Sequence, residues 1–159
     1  MNAAEAVRKL EASSEFAEWK TANKDAFLSS LFAMFDKEFE GEWLVGYYSP
    51  SAKRITTFFV DELECLKKGD DASDTQPKQL DMDKVKVELA DALTAAKAAL
   101  DKKTGEGIQK IIAILQNLDE GQVWNISLMT ASFNMFNIKI DAETSKELSQ
   151  DYGTLFRPA

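Results

Sequence analysis

Apolar and polar positions alternate most cleanly in two stretches, Trp43 to Val60 and Gln122 to Asp141. In the first, Trp43, Val45 and Tyr47 interleave with Leu44, Gly46 and Tyr48. A turn of "SPSAKR" follows, and then a β-branched and aromatic run from Ile55 to Val60. A period of two bounded by turn residues predicts a β-hairpin. The stretch "QVWNISLMTASFNMFNIKID" predicts another. Elsewhere the pattern reads as helix. Residues 3–22 hold Ala, Glu, Lys and Leu without Gly or Pro. Asn23 stands as an N-cap before "KDAFLSSLFAMFDKEFE", where Phe27, Leu31 and Phe35 fall four apart and Gly41 ends the run. Val85–Lys102 has Leu89, Ala92, Leu93, Ala96 and Leu100 on one face. After "TGEG", Ile108–Leu118 reads as a further apolar helix. The polar, Gly- and Pro-bearing stretch 67–83 reads as a linker.

Set against itself, the chain matches at a constant offset. Phe27 falls on Ile108, Leu31 on Ile112, Trp43 on Trp124, Val45 on Ile126 and Tyr47 on Leu128; one residue is lost at the turn, after which Val60 falls on Ile140 and Asp61 on Asp141. The expectation is a tandem duplicated α-α-β-β unit in the α+β class, with helices packed on one face of an antiparallel sheet. Asp61 and Asp141 would each close a strand end by bonding nearby backbone N–H groups.

The residues "VWNISLMTASFNMFNIKIDAETSKEL" resemble the terminal hairpin of PepSY and PepSY-like domains, with Trp124, Ile140, Asp141, Ala142, Thr144 and Glu147 on that pattern. Ser145-Lys146 departs from it, standing where the family usually has Gly and an acid; in the first half Trp43, Val60 and Asp61 persist. The resemblance implies two PepSY-like repeats, 1–66 and 84–148, separated by the 67–83 linker and followed by a tail, 149–159. It implies a non-catalytic role, as an inhibitory or regulatory peptidase domain or a binding module.

Composition narrows the function classes. With 159 residues, 45% of them apolar, the chain can build a real core. A net charge of −8 argues against nucleic acid and anionic lipid, and leaves a basic protein partner open. No apolar run is long enough to span a membrane and the start lacks the apolar core of a signal peptide, so a cytoplasmic location is expected, with an exported mature form as the alternative.

There is no histidine, which removes imidazole metal sites and Ser-His or Cys-His dyads. Cys65, between two leucines, reads as a half-buried small hydrophobe. Asp36, Glu38, Glu40 and Glu42 read as a solvated face. Asp70, Asp71 and Asp74 lack the spacing and closing Glu of a calcium loop. Asn125-Ile126-Ser127 fits the glycosylation pattern but lies in an expected strand. No enzyme motif, metal site or cofactor motif emerges.

The unusual feature is the second face of the sheet. If Trp43, Val45, Tyr47, Trp124, Ile126 and Leu128 meet the helices, then Leu44, Tyr48, Phe59, Met129, Phe133 and Met135 face away. A solvated sheet face should be polar there. Three occupants fit: the tail "DYGTLFRPA", a homodimer or protein partner, or a small apolar ligand. The sequence therefore predicts a non-catalytic protein-binding or regulatory module, with a pocket for an apolar ligand between sheet and helices as the alternative.

Overall fold

The computed structural model describes residues 1–154. Helices α1 (Ala3–Glu11) and α2 (Ser14–Ala22) open the chain. Strands β1 (Phe27–Phe35), β2 (Trp43–Ser49), β3 (Arg54–Val60) and β4 (Cys65–Ala72) follow. A single 3₁₀ turn (Met82–Lys84) and α3 (Leu89–Asp101) lead into β5 (Ile108–Leu118), β6 (Gly121–Thr130), β7 (Asn134–Asp141) and β8 (Glu147–Thr154). All eight strands form one antiparallel sheet in the order β4-β3-β2-β1-β5-β6-β7-β8. Each half of the chain supplies a four-strand meander, and the meanders join where β1 pairs with β5.

This corrects the expected architecture. The chain is not a tandem α-α-β-β arrangement but one sheet accompanied by three α-helices. The two apolar runs expected as helices, around Phe27–Phe35 and Ile108–Leu118, are its two central strands. The reason is arithmetical. A spacing of four residues is also a multiple of two, so Leu31 and Phe35 suit a strand face as well as a helix stripe, while a bulge between Leu28 and Ser30 turns Phe27 to the other face beside Tyr48. Central strands are also flanked on both sides, so apolar residues such as Phe32, Met34, Ile112 and Ile114 accumulate on the second face and blur the alternation. Most of β4 falls in the expected linker and most of β8 in the expected tail, each strand starting two residues earlier. Both are edge strands of mostly exposed side chains, which carry no apolar signal.

The helical stretch 3–22 is broken in the middle. Ser13 ends α1 by donating its hydroxyl to the Leu10 carbonyl (2.6 Å), and starts α2 by accepting from the Phe16 N–H (3.2 Å). Helix α1 buries Ala3, Ala6, Val7 and Leu10. Helix α2 sets Phe16 and Trp19 against Tyr47 and Phe58 with ring centroids 4.9–5.9 Å apart. Helix α3 buries Leu89, Ala92, Leu93, Ala96, Ala99 and Leu100, and packs over β6 and β7.

On that face of the sheet Trp43 and Trp124 are fully buried, and their rings meet at 6.1 Å. They stand on β2 and β6, three strand spacings apart (about 14 Å), so both indoles lean inward over the two central strands. Ala33 and Ala113, paired across β1–β5, leave the room for them. Each indole N–H is satisfied, Trp124 on the Val87 carbonyl (2.9 Å) and Trp43 on the Met1 carbonyl (3.2 Å).

Candidate functional site

The face opposite the helices is organised by strand register. Leu66, Phe59, Leu44, Phe32 and Ile114 occupy successive paired positions on β4, β3, β2, β1 and β5. This apolar row crosses five strands, about 19 Å at the usual inter-strand spacing. Met34 and its partner Ile112 lie one step along, and Met34 is 56% exposed. Beyond Ile114 the face turns polar: Asn125 and Ser127 on β6 accept hydrogen bonds from the Asn137 amide of β7 at 2.7 and 3.0 Å. Lys139 continues this side.

The residues singled out from the sequence divide. Leu44 and Phe59 are in the row and half-buried. Tyr48 is on the same face but only 3% exposed, its ring 5.7 Å from Phe27. Met129 and Met135 face each other at the far end of β6 and β7, one and two strands beyond the row. Phe133 is not on the face. It sits in the β6–β7 turn at φ +60°, 44% exposed. The signal overlooked in the sequence lies in the strands taken for helices, because Phe32, Met34, Ile112 and Ile114 complete the row. As for the tail, Tyr152 pairs with Phe136 and so belongs to the helix-side face (ring centroids 6.4 Å), whereas Leu155 and Phe156 lie outside the described residues.

The margin of the row is acidic. Four acids, Asp36, Glu38, Glu40 and Glu42, against two lysines, Lys37 and Lys110, line a groove of about 570 Å³ with Met34 at the β1–β2 connection. Lys110 pairs with Asp36 at 3.2 Å, and the other three carboxylates have no cation within salt-bridge distance among the described residues.

A larger cleft, about 1160 Å³, lies between the α1–α2 pair and the segment Gln79–Lys84. Its floor includes Phe16, Leu28 and Tyr47, and its walls carry Arg8, Glu11, Lys20, Asp81, Asp83 and Lys84. The buried Tyr47 hydroxyl donates to Glu11 at 2.9 Å; burial, then the Glu11 charge, pushes its pKa well above the ordinary tyrosine value. Lys20 is already engaged, donating to the carbonyls of Lys24 and Ala26 at 2.8 Å.

Burial is the main influence on Cys65 and pushes its thiol up, away from the reactive thiolate. Glu106 is held low, first by the Ser132 hydroxyl. For Asp141, burial pulls upward, but the Thr144 and Glu143 N–H groups outweigh it and hold the carboxylate ionised. Among the described residues no three Cys, Asp or Glu side chains converge on a metal-sized site, and no helix is long and apolar enough to cross a membrane.

No family model matches the chain, and no curated protein does. Among solved structures it is similar to a protein from Clostridium difficile 630 described as a "putative lipoprotein". Identity is 15%, the match covers 87% of this chain and 90% of that one, and the TM-score is 0.56. The two share a fold.

Proposed function

We propose that this chain is a non-catalytic protein-binding or regulatory module that docks a partner on the sheet face turned away from its helices. The observation that carries this reading is the apolar row from Leu66 to Ile114. It is half-exposed at the centre of the sheet, where an uncovered antiparallel face would be polar. The acidic margin at Asp36, Glu38, Glu40 and Glu42 selects the partner's chemistry: apolar residues at the centre and Lys or Arg at one flank. A second copy fits this face less well, because it would bring a second acidic margin to the same surface. The test is a photo-crosslinking residue at Phe32 in the native host. The expected product is a protein adduct that disappears when Glu38 and Glu42 are changed to Lys. Crosslinks only to itself, or none, would sink the proposal.

The PepSY-like character and the internal repeat belong to the same reading. In their support, Trp43 and Trp124 both donate to backbone carbonyls. Asp61 accepts from the N–H groups of Leu63 and Glu64, as Asp141 does from Glu143 and Thr144. Lys53 and Phe133 occupy corresponding turns at φ +53° and +60°.

The size of the cleft beside α1 and α2 favours a second reading, a small-molecule site between sheet and helices. Its charged walls suit a molecule with polar ends over a wholly apolar one. Native mass spectrometry of freshly purified protein would show a carried ligand; protein that arrives empty from several hosts argues against this site.

A further inference from the structure

The two edges of the sheet are finished differently. Edge strand β4 is blocked. Glu15, reaching from α2, accepts the Lys67 backbone N–H at 2.8 Å, and the Arg54 guanidinium donates to the Asp70 carbonyl at 2.6 Å. A bulge opposite Thr57 and Phe58 interrupts its pairing, and Lys67, Lys68, Asp70 and Asp71 crowd its eight residues with charge. These are the devices by which a sheet edge is kept from pairing with another chain.

From Ser149 to Gly153 edge strand β8 carries one charge, Asp151, and neither a bulge nor, among the described residues, a side-chain cap. Its bulge lies at its beginning, opposite Lys139 and Ile140, and the pairing from Ser149 to Thr154 is regular. Among the described residues no side chain caps a backbone group between Leu148 and Gly153. In an antiparallel ladder half of those N–H and C=O groups point away from β7. Helix α3 covers β6 and β7, and Tyr152 is left 36% exposed on the helix side of the edge.

We propose that β8 is the interface with a second copy of this chain, the two β8 strands pairing antiparallel about a two-fold axis to extend the sheet. The sequence of β8 is what commits the edge to a copy of itself. A two-fold axis perpendicular to the sheet must pass through a residue opposite its own mate, so few registers exist. Centring on Asp151 sets acid against acid, and centring on Ser149 sets Glu147 against Asp151. Centring on Gln150 avoids every like-charge pair, as centring on Tyr152 also does, but the Gln150 register pairs Glu147 to Gly153 where the other pairs only Gln150 to Thr154. Gln150 then faces Gln150, two amides able to bond each other; Ser149 faces Asp151; and Leu148 faces Tyr152. This interface is separate from the apolar row and from the cleft, and it stands whether or not either of those binds a partner.

Sedimentation over a concentration series, with hydrogen exchange at both ends of that series, tests it. The expected result is a reversible monomer–dimer equilibrium, with amide protection gained at high concentration on β8 and not on β4. Gln150→Lys sets two ammonium groups face to face across the axis and weakens the dimer about two- to fivefold. Ser149→Lys gains a carboxylate opposite and holds or tightens it. Both positions are exposed, so circular dichroism should show both variants folded. A chain that stays monomeric to its solubility limit overturns the proposal. So does a dimer that ignores Gln150→Lys, one broken instead by Phe59→Lys on the sheet face, or a β8 protected only when a foreign extended peptide is added.

Discussion

Single side chains carry several of the fold's commitments, and the two indoles show how unequal such commitments can be. Trp124→Phe removes the donor to the buried Val87 carbonyl and leaves it unpaired, at a cost of about 1–3 kcal/mol. Trp43→Phe, whose partner carbonyl is part-buried and bonded at 3.2 Å, should cost less; urea unfolding of the two variants ranks them. Tyr47 gives the molecule an alkaline limit. Its folded pKa is raised above the unfolded value near 10, so the unfolded chain ionises first and stability falls as pH climbs past that value. Tyr47→Phe should flatten this alkaline decline in unfolding free energy while leaving the neutral range changed only by the lost bond to Glu11. At Asp141 the sign reverses. Its folded pKa is lowered, so the stabilisation from its turn is present at neutral pH and fades as pH drops through that depressed value; Asp141→Ala should remove this share of the acid decline and leave the shares of Asp25, Glu106 and Asp119. Lys53, exposed at φ +53°, bears the ordinary penalty of a side chain in left-handed backbone. Lys53→Asn should raise the melting temperature, by about 0.5 kcal/mol of stability.

At the level of elements, the critical decision is the pairing of β1 with β5. Ala33 and Ala113 meet there beneath the two indoles, and both are buried. Ala113→Leu should overpack this layer and destabilise by about 1–3 kcal/mol, seen as a lowered urea midpoint with an unchanged slope. The same change at an exposed position of β4 should do little. The hairpins β2–β3 and β6–β7 were legible because one face is buried and the period of two survives. So was the inward set Trp43, Val45, Tyr47, Trp124, Ile126 and Leu128. Strands β1 and β5 were not, because a four-residue spacing satisfies both periods and their second face is itself apolar. Edge strands β4 and β8 were invisible for the opposite reason: stretches such as "KKGDDA" and "SQDYG" are ordered by ladder hydrogen bonds and not by burial. Only part of the candidate surface was therefore readable. Leu44 and Phe59 came from a recognised hairpin, while Phe32 and Ile114 were hidden in strands mistaken for helices.

For the molecule as a whole, the two proposed associations use different surfaces: a broad face with an acidic margin, and an edge. Partner binding on the face should weaken as salt rises, because part of its selectivity is electrostatic, whereas pairing at the β8 edge should respond much less. Measuring both against ionic strength distinguishes the two associations in one preparation. The strand order carries a kinetic consequence as well. Every neighbouring pair in the sheet is also consecutive along the chain except β1 and β5, where Ser30 must find Gln116. Each meander can assemble from local contacts, so the slow event in folding is the search that closes the loop between them. A chevron analysis should find that Leu115→Ala retards folding, whereas a comparable truncation at Leu128, in the local β6–β7 hairpin, chiefly speeds unfolding.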